Sequence, residues 1–311
     1  MGALARLALP EASQGAPSEA QTQTREAFAF KWQKRDTYDS PAVQAASREW
    51  LFRRYCGGDP TQLDRWLAGG RKLILDAGCG AGHSGRLFFG DHLHAHDYLG
   101  VDISDAVEVA RQRFQEAGLP GDFLRVDLMD LPLPDHSCDL IFSEGVLHHT
   151  DSTERAVKHL ARKVKPGGLF LFYVYARKGP VREFTDDALR EALRPLSDEA
   201  AWEALMPLTK LGKALGDLHV TVDIPEDIPL LGIPKGPLDI QRLFYWHVCK
   251  DYYRPDWTLE EMNHVNFDWF RPLNCHRQTP EQVETWVREA GLALEALRVE
   301  EAGITVVAVR P

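Results

Sequence analysis

At 311 residues and 44% hydrophobic content, the chain is long enough to bury a sizeable core, as one large domain or as a domain with an insertion. Its formal net charge of -10 argues against a nucleic-acid backbone as the principal partner, since such binding rests on neutralising phosphates with Lys and Arg; a local basic patch stays open. Five cysteines, an odd number with no C-x-x-C pair, argue against a disulfide framework or a zinc ribbon and favour a reducing cytoplasm, and no apolar run has the length of a membrane span.

Residues 1–24 read as a flexible tail: Pro10 and Glu11 cut the first apolar run short of a signal-peptide core, and Ala, Gln, Ser, Thr and Pro follow. Residues 25–58 form an aromatic, helical segment that carries Phe28, Phe30, Trp32, Tyr38, Trp50, Phe52 and Tyr55. So many rings must pack against something, and Pro41 to Tyr55 has helical spacing behind a possible Ser40 cap. Asp59 to Ala68 reads as a short helix stopped by Gly69-Gly70.

Leu73-Ile74-Leu75-Asp76-Ala77 is then a short apolar strand that breaks into Gly78, Gly80 and Gly82. Lacking Cβ, these glycines can take positive φ and approach a ligand at the carboxyl edge of a parallel sheet. The spacing is D-x-G-x-G-x-G, not the G-x-G-x-x-G of a dinucleotide site. A carboxylate at that point would repel a pyrophosphate and suit a cation such as an α-ammonium group.

Further strands are read at Leu99–Ser104, Phe123–Leu128, Cys138–Ser143 and Leu169–Tyr175, the last a continuous apolar run as in a central parallel strand. Helices alternate with them: Ser104 to Ala117, with Val107, Ala110 and Phe114 on one face, and Asp151 or Ser152 to Val164. Residues 177–278 break this repeat and read as a helical and irregular insertion rich in aromatic rings, the natural walls of a specificity pocket. The core resumes at 279–311 with a helix from Thr279-Pro280-Glu281 and a closing hairpin of Leu292–Val299 and Ile304–Val309.

The glycine loop, the acidic end of Leu99-Gly100-Val101-Asp102-Ile103-Ser104, the stretches ending in Asp127-Leu128 and Ser143, Leu147-His148-His149 and Lys165-Pro166-Gly167-Gly168 occur in an order that resembles the class I S-adenosylmethionine-dependent methyltransferases of the small-molecule, type 11-like kind. The matches cover about a third of the chain, residues 70 to 176. The resemblance implies an α/β fold: a doubly wound, Rossmann-like seven-stranded sheet with an antiparallel last strand, an N-terminal helical lid and a mainly helical insertion, with residues 59–176 as the cofactor-binding core. It implies S-adenosyl-L-methionine as cofactor. Asp76, Gly78 and Gly80, with Cys79 and Gly82 in the same loop, would hold its methionine end; Asp102, with Ile103 beside it, would accept from the ribose hydroxyls; Asp127 and Leu128 would edge the adenine; and Ser143 would lie near the methyl group. Phe30 and Trp32 would close over the sulfonium, where an aromatic face adds cation–π attraction, or simply cover the sheet. Asp102 and Asp127 also admit a structural reading, as a solvated strand end and a capping carboxylate.

His148, His149 and, below them, Glu144 are candidates for a general base at the acceptor, and a structural role is open for at least one histidine. In the insertion, His247, Tyr245, Asp268 and Trp269, together with His276, are pocket candidates, with Arg182 and Arg271 as partners for a carboxylate or phosphate on the acceptor; a packed aromatic subdomain with its own hydrogen-bond network is the competing reading. Three histidines in Asp91-His92-Leu93-His94-Ala95-His96-Asp97 raise a metal site, but lie away from the expected methyl position, and no metal is expected.

The function expected is therefore methyl transfer to a small molecule or metabolite by a cytoplasmic protein acting as monomer or homodimer, with oxygen first among acceptor atoms and no nucleic-acid or membrane partner. No Asn/Asp-Pro-Pro-aromatic tetrapeptide, the mark of amino methylation of bases, is present. A nicotinamide-dependent (NAD(P)) oxidoreductase competes through the shared fold, opposed by the glycine spacing and Asp76. A non-catalytic cofactor-binding scaffold protein competes as well, and lack of turnover would favour it.

Overall fold

The computed structural model describes residues 17–34 and 37–311. Contacts divide the chain into two compact units: one holds the residues up to Gln33, Ala45–Ala176 and Asn274–Pro311, the other Lys34–Gln44 and Arg177–Leu273.

In chain order the first unit contains helix α1 (Glu19–Gln33), the body of α2 (Pro41–Cys56), α3 (Thr61–Leu67), strand β1 (Leu73–Ala77), α4 (His83–Phe89), β2 (Asp97–Asp102), α5 (Ala106–Glu116), β3 (Asp122–Arg125), β4 (Cys138–Glu144), α6 (Thr153–Lys163) and β5 (Val164–Tyr175). The second unit supplies α7 (Pro180–Leu193), α8 (Asp198–Gly216), β6 (Thr221–Ile224), β7 (Gly236–Asp239), α9 (Ile240–His247) and α10 (Leu259–Phe270), after which α11 (Pro280–Glu289), β8 (Ala293–Val299) and β9 (Gly303–Val309) complete the first.

Strands β1 to β5 run parallel, and β9 joins β5 antiparallel, giving a seven-stranded sheet of order β3-β2-β1-β4-β5-β9-β8. This is the expected doubly wound sheet with its antiparallel closing strand. Chain order reverses between β1 and β4, so the carboxyl ends of β1, β2 and β4 open a crevice there. The apolar run 169–175 is buried throughout, because helices cover both faces of a parallel sheet. Local signals set the helix starts: the Ser152 hydroxyl accepts from Arg155 N–H, and Thr279 forms a capping box with Gln282 ahead of Pro280.

Three boundaries differ from the sequence reading. Helix α1 begins at Glu19, inside the stretch expected as a tail; Gln21 and Thr24 are buried there because both bind Asn274, through Asn274 Nδ2 to Gln21 Oε1 (3.2 Å) and Asn274 N–H to Thr24 Oγ1 (3.0 Å). The rest of the expected tail, residues 1–16, lies outside the described residues. The insertion ends at Leu273, and Asn274–Gln278 return to the first unit by bonds such as His276 N–H to His148 O (2.9 Å). Within the insertion, β6 and β7 pair as an antiparallel ribbon that helical spacing did not announce.

The polar residues among the aromatic rings of the second unit form a buried network. Asn266 Nδ2 donates to Thr209 Oγ1 (2.8 Å), Thr209 to Asn263 Oδ1 (2.7 Å), and Thr37 Oγ1 meets His264 Nδ1 at 2.6 Å. No helix among the described residues is long and apolar enough to cross a membrane.

Candidate cofactor-binding site

The loop after β1 is held from below. Gly78 and Cys79 both donate to Val101 O on β2 (2.8 and 2.9 Å), and Gly78, Gly80 and Gly82 all take left-handed φ, at 87°, 51° and 70°. Each glycine is required by a different neighbour. A Cβ on Gly78 would stand 2.2 Å from Val146 after β4, and one on Gly82 would stand 2.9 Å from the Phe114 ring of α5. Both positions thus serve loop packing. Gly80 is different: its missing Cβ is where the Trp32 indole sits, with Nε1 2.7 Å from that position. Cys79 packs its buried thiol toward Gly100, and burial pushes that thiol well above the ordinary range, so it is a wall and not a nucleophile.

Asp102, half-buried at the end of β2, is held by three donors: Gly80 N–H (3.0 Å), Ser104 N–H (2.8 Å) and Ser104 Oγ (2.7 Å). Burial raises its pKa and these bonds oppose the rise, as does the charge of Lys31 from α1. Ile103 follows it and gives its carbonyl to Arg125 Nε (3.4 Å). Glycine loop, acidic strand end and Trp32 thus lie together at the carboxyl edge of the sheet. The donors that fix Asp102 leave an oriented, partly exposed carboxylate suited to a diol, and an indole face over a glycine suits a cationic, partly flat ligand.

Asp76 behaves otherwise than expected. It is 3% exposed and accepts from Tyr98 Oη at 2.5 Å, and helix α4 can lie on the pair only because Gly85 has no Cβ, which would stand 2.3 Å from Asp76 Oδ2. Burial first, then the charges of Asp102 and Glu144, lift its pKa to about 7, against the pull of the Tyr98 bond. Its direct partner is therefore a phenol beneath the loop.

Other expected residues have structural partners. Asp127 accepts from Met129 N–H (2.8 Å) as the cap of a 3₁₀ turn, and Leu128 belongs to the core. Ser143 is fully buried and donates to Ala77 O (2.8 Å), tying β4 to β1. Glu144 accepts from Tyr55 Oη (2.5 Å) and pairs with Arg54, so it is already engaged. His148 is fully buried with its ring 3.8 Å from that of Tyr175; His149 donates Nδ1–H to Asn274 O (2.6 Å) and meets the edge of Phe28 at 4.9 Å. Both rings are packed among aromatics, and the His149 ring together with the His148 carbonyl fastens the turn after β4 to residues 274–276. His276 faces Thr150 O through Nε2 (3.0 Å). Phe30 is half-buried on α1; the ring that meets Gly80 is that of Trp32.

The remaining pocket candidates belong to the second unit. Arg182 is buried, donates Nε–H to Asp186 (2.6 Å) and reaches Tyr245 O; Trp269 Nε1–H donates to the same carboxylate oxygen (2.7 Å). Arg271 binds Asp198 (2.5 Å) and the carbonyls of Leu193 and Leu196, closing the end of α7. Both guanidinium groups thus take part in the unit's own framework. His247 and Asp268 are half-buried on α9 and α10. In the histidine-rich stretch, His92 faces Asp64 (3.4 Å) and His96 Nδ1 accepts from Lys72 N–H (3.2 Å), so the imidazoles diverge. Sequence reasoning missed Tyr98, Lys31 and Arg54; for Tyr98 the signal was Gly85, whose missing Cβ leaves room for the Tyr98 hydroxyl and Asp76.

Residues 75–172 match the family model described as a methyltransferase domain. Among curated relatives, the human probable tRNA methyltransferase 9B is 36% identical over 115 residues, 36% of this chain and 23% of that protein. The fatty-acid O-methyltransferase of Mycolicibacterium smegmatis is 32% identical over 102 residues, 32% of this chain and 36% of that one. The chain spans 23% to 29% of the length of the first curated relatives it matches. Among solved structures, magnesium protoporphyrin IX methyltransferase from Synechocystis PCC 6803 with bound SAM is 13% identical, with 96% of this chain and 100% of that chain covered and a TM-score of 0.49. Residues 75–172, the segment that carries the glycine loop, Asp102 and the β4 turn, thus match a methyltransferase domain, as the resemblance to the class I S-adenosylmethionine-dependent methyltransferases implied.

Proposed function

We propose that this chain transfers the methyl group of S-adenosylmethionine to a small-molecule acceptor, with oxygen first among acceptor atoms. The observation that carries the reading is the juxtaposition of Gly80, Trp32 and Asp102 at the carboxyl edge of the sheet. Bound there, the cofactor supplies an electrophilic methyl group on a good leaving group. The protein's part is to hold and align: Asp102 accepts from the ribose hydroxyls, Trp32 faces the sulfonium end, and the rigid loop fixes both. With His148, His149 and Glu144 engaged elsewhere, alignment and not proton abstraction dominates. The net charge of -10 and the fatty-acid O-methyltransferase relative favour a small acceptor. The human relative's name favours tRNA, and incubation with bulk tRNA and labelled cofactor decides between them.

Calorimetric titration with S-adenosylmethionine, S-adenosylhomocysteine and oxidised nicotinamide dinucleotide tests the reading. Binding of the first two, weakened at least tenfold (about 1.4 kcal/mol) by Asp102→Ala, is the expected result. Binding of the nicotinamide dinucleotide alone would establish the oxidoreductase reading in its place, and binding without turnover on any acceptor would leave the scaffold.

A further inference from the structure

The β4 edge holds a second polar feature that cofactor binding does not use. Arg54, on α2, is 1% exposed, and its guanidinium lies 3.6 Å from the centroid of Trp50 and 3.5 Å from that of Tyr173. Those two centroids are 6.5 Å apart and the rings are inclined by 59°, so the guanidinium sits in a wedge between them. Its Nη1 is taken by Glu144, which Tyr55 Oη also binds. The other edge, Nε and Nη2, is buried and has no hydrogen-bond partner among the described residues. That edge is the side-on fork of arginine: two parallel N–H donors, spaced to match the two oxygens of a carboxylate.

Its position is that of an acceptor subsite. Glu144 pairs with Tyr173 across β4 and β5, two residues beyond Phe142, which is in register with Asp76 at the start of the glycine loop. The fork therefore stands at the same carboxyl edge as the cofactor loop, one strand away from β1. Trp50, at 41% exposure, offers an apolar wall that an organic ligand would cover. Charge allows a further anion: Glu144 balances Arg54 and Glu300 faces Arg53 (3.9 Å), while Arg298, which donates to Arg54 O at 3.0 Å, brings another positive charge.

We propose that the side-on fork of Arg54 receives a carboxylate of the methyl acceptor, so that the acceptor is an organic carboxylic acid anchored between Trp50 and Tyr173. The proposal rests on the methyltransferase reading and names its substrate class. A carboxylate can meet both N–H donors of the fork in the guanidinium plane.

The test is a titration of isotope-labelled full-length protein, with and without S-adenosylhomocysteine, read at the Arg54 Nε–H resonance. The probes are benzoate and hexanoate, against benzamide and hexanamide. A saturable downfield shift with at least one acid and with neither amide, and at least tenfold weaker acid binding in Arg54→Lys with S-adenosylhomocysteine binding kept, is the expected result. Intact S-adenosylhomocysteine binding with no shift from either acid at millimolar concentration overturns the fork assignment alone, as does an equal shift from the amides. Loss of S-adenosylhomocysteine binding overturns the methyltransferase reading and the acceptor role with it. Should the Arg54 variant misfold, the wild-type titration still decides.

Discussion

Replacing Asp76 by Asn gives a sharp test of the electrostatics beneath the glycine loop. Asp76 is 3% exposed, and burial lifts its pKa to about 7 from the ordinary 3.8. Between those values the folded protein holds a proton that the unfolded chain has lost, so stability falls as pH rises from about 4 to about 7 and levels off above. At one pKa unit per 1.36 kcal/mol, the penalty on the native acid is about 1.5 kcal/mol at pH 5 and about 4 kcal/mol at pH 8.5. Asn cannot ionise and can still accept from Tyr98 Oη, so Asp76→Asn should be more stable than the parent, by a margin that grows roughly 2.5 kcal/mol between the two pH values. Urea unfolding of both proteins at pH 5 and pH 8.5 measures the double difference, from which the titrating groups not coupled to Asp76 cancel. A margin independent of pH, or a variant less stable at pH 8.5, would refute the reasoning. The same substitution should weaken S-adenosylmethionine binding at pH 8.5, where the parent presents a carboxylate that a cationic ligand would relieve.

Three further outcomes are expected. Gly80→Ala would put a methyl group 2.7 Å from Trp32 Nε1 at a φ of 51°; it should cost at least about 2 kcal/mol, and a double-mutant cycle with Trp32→Ala should return part of that loss in both unfolding and S-adenosylhomocysteine affinity. His149→Phe leaves the buried Asn274 carbonyl without its donor and should destabilise by about 1 to 3 kcal/mol while leaving the shape of the turnover pH profile unchanged; a lost acidic limb would restore His149 as the base. Asp186→Leu strands the buried Arg182 and removes the acceptor of Trp269 Nε1, so chemical unfolding should report a loss of about 3 to 5 kcal/mol; a loss below about 1 kcal/mol would contradict the buried-pair assignment.

What the sequence could tell differed from one level to the next. Strand positions were legible because each is a short apolar run closed by glycine, proline or an acid, and the run 169–175 is buried on both faces as its continuity demands. The location of the site at the β1 and β2 ends was legible for the same reason, since Gly78, Gly80, Gly82 and Asp102 are adjacent to strand ends. The job of each glycine was not: Gly78 answers to Val146 and Gly82 to Phe114, residues distant in sequence whose approach depends on the finished fold. Nor could spacing distinguish a polar residue aimed at a ligand from one that completes a buried network. Arg182 and Arg271 each look like pocket residues until their partners Asp186 and Asp198 are in place. Arg54 escaped notice for the opposite reason, because it lies in a stretch whose aromatic content suggested only packing.

The clasp at Asn274 has a consequence in time. Its backbone N–H binds Thr24 and its amide binds Gln21 and Asp151 (2.8 Å), while Ser18 binds the same Asp151 carboxylate oxygen (2.7 Å). The Thr24 and Asn274 partners are 250 residues apart in sequence. At synthesis rates of about 5 to 20 residues per second, α1 leaves the ribosome roughly 10 to 50 seconds before the residue that fastens it exists. The helix that carries Trp32 onto the glycine loop is thus made well before the residue that secures it, and a nascent chain stalled short of residue 274 would lack that clasp.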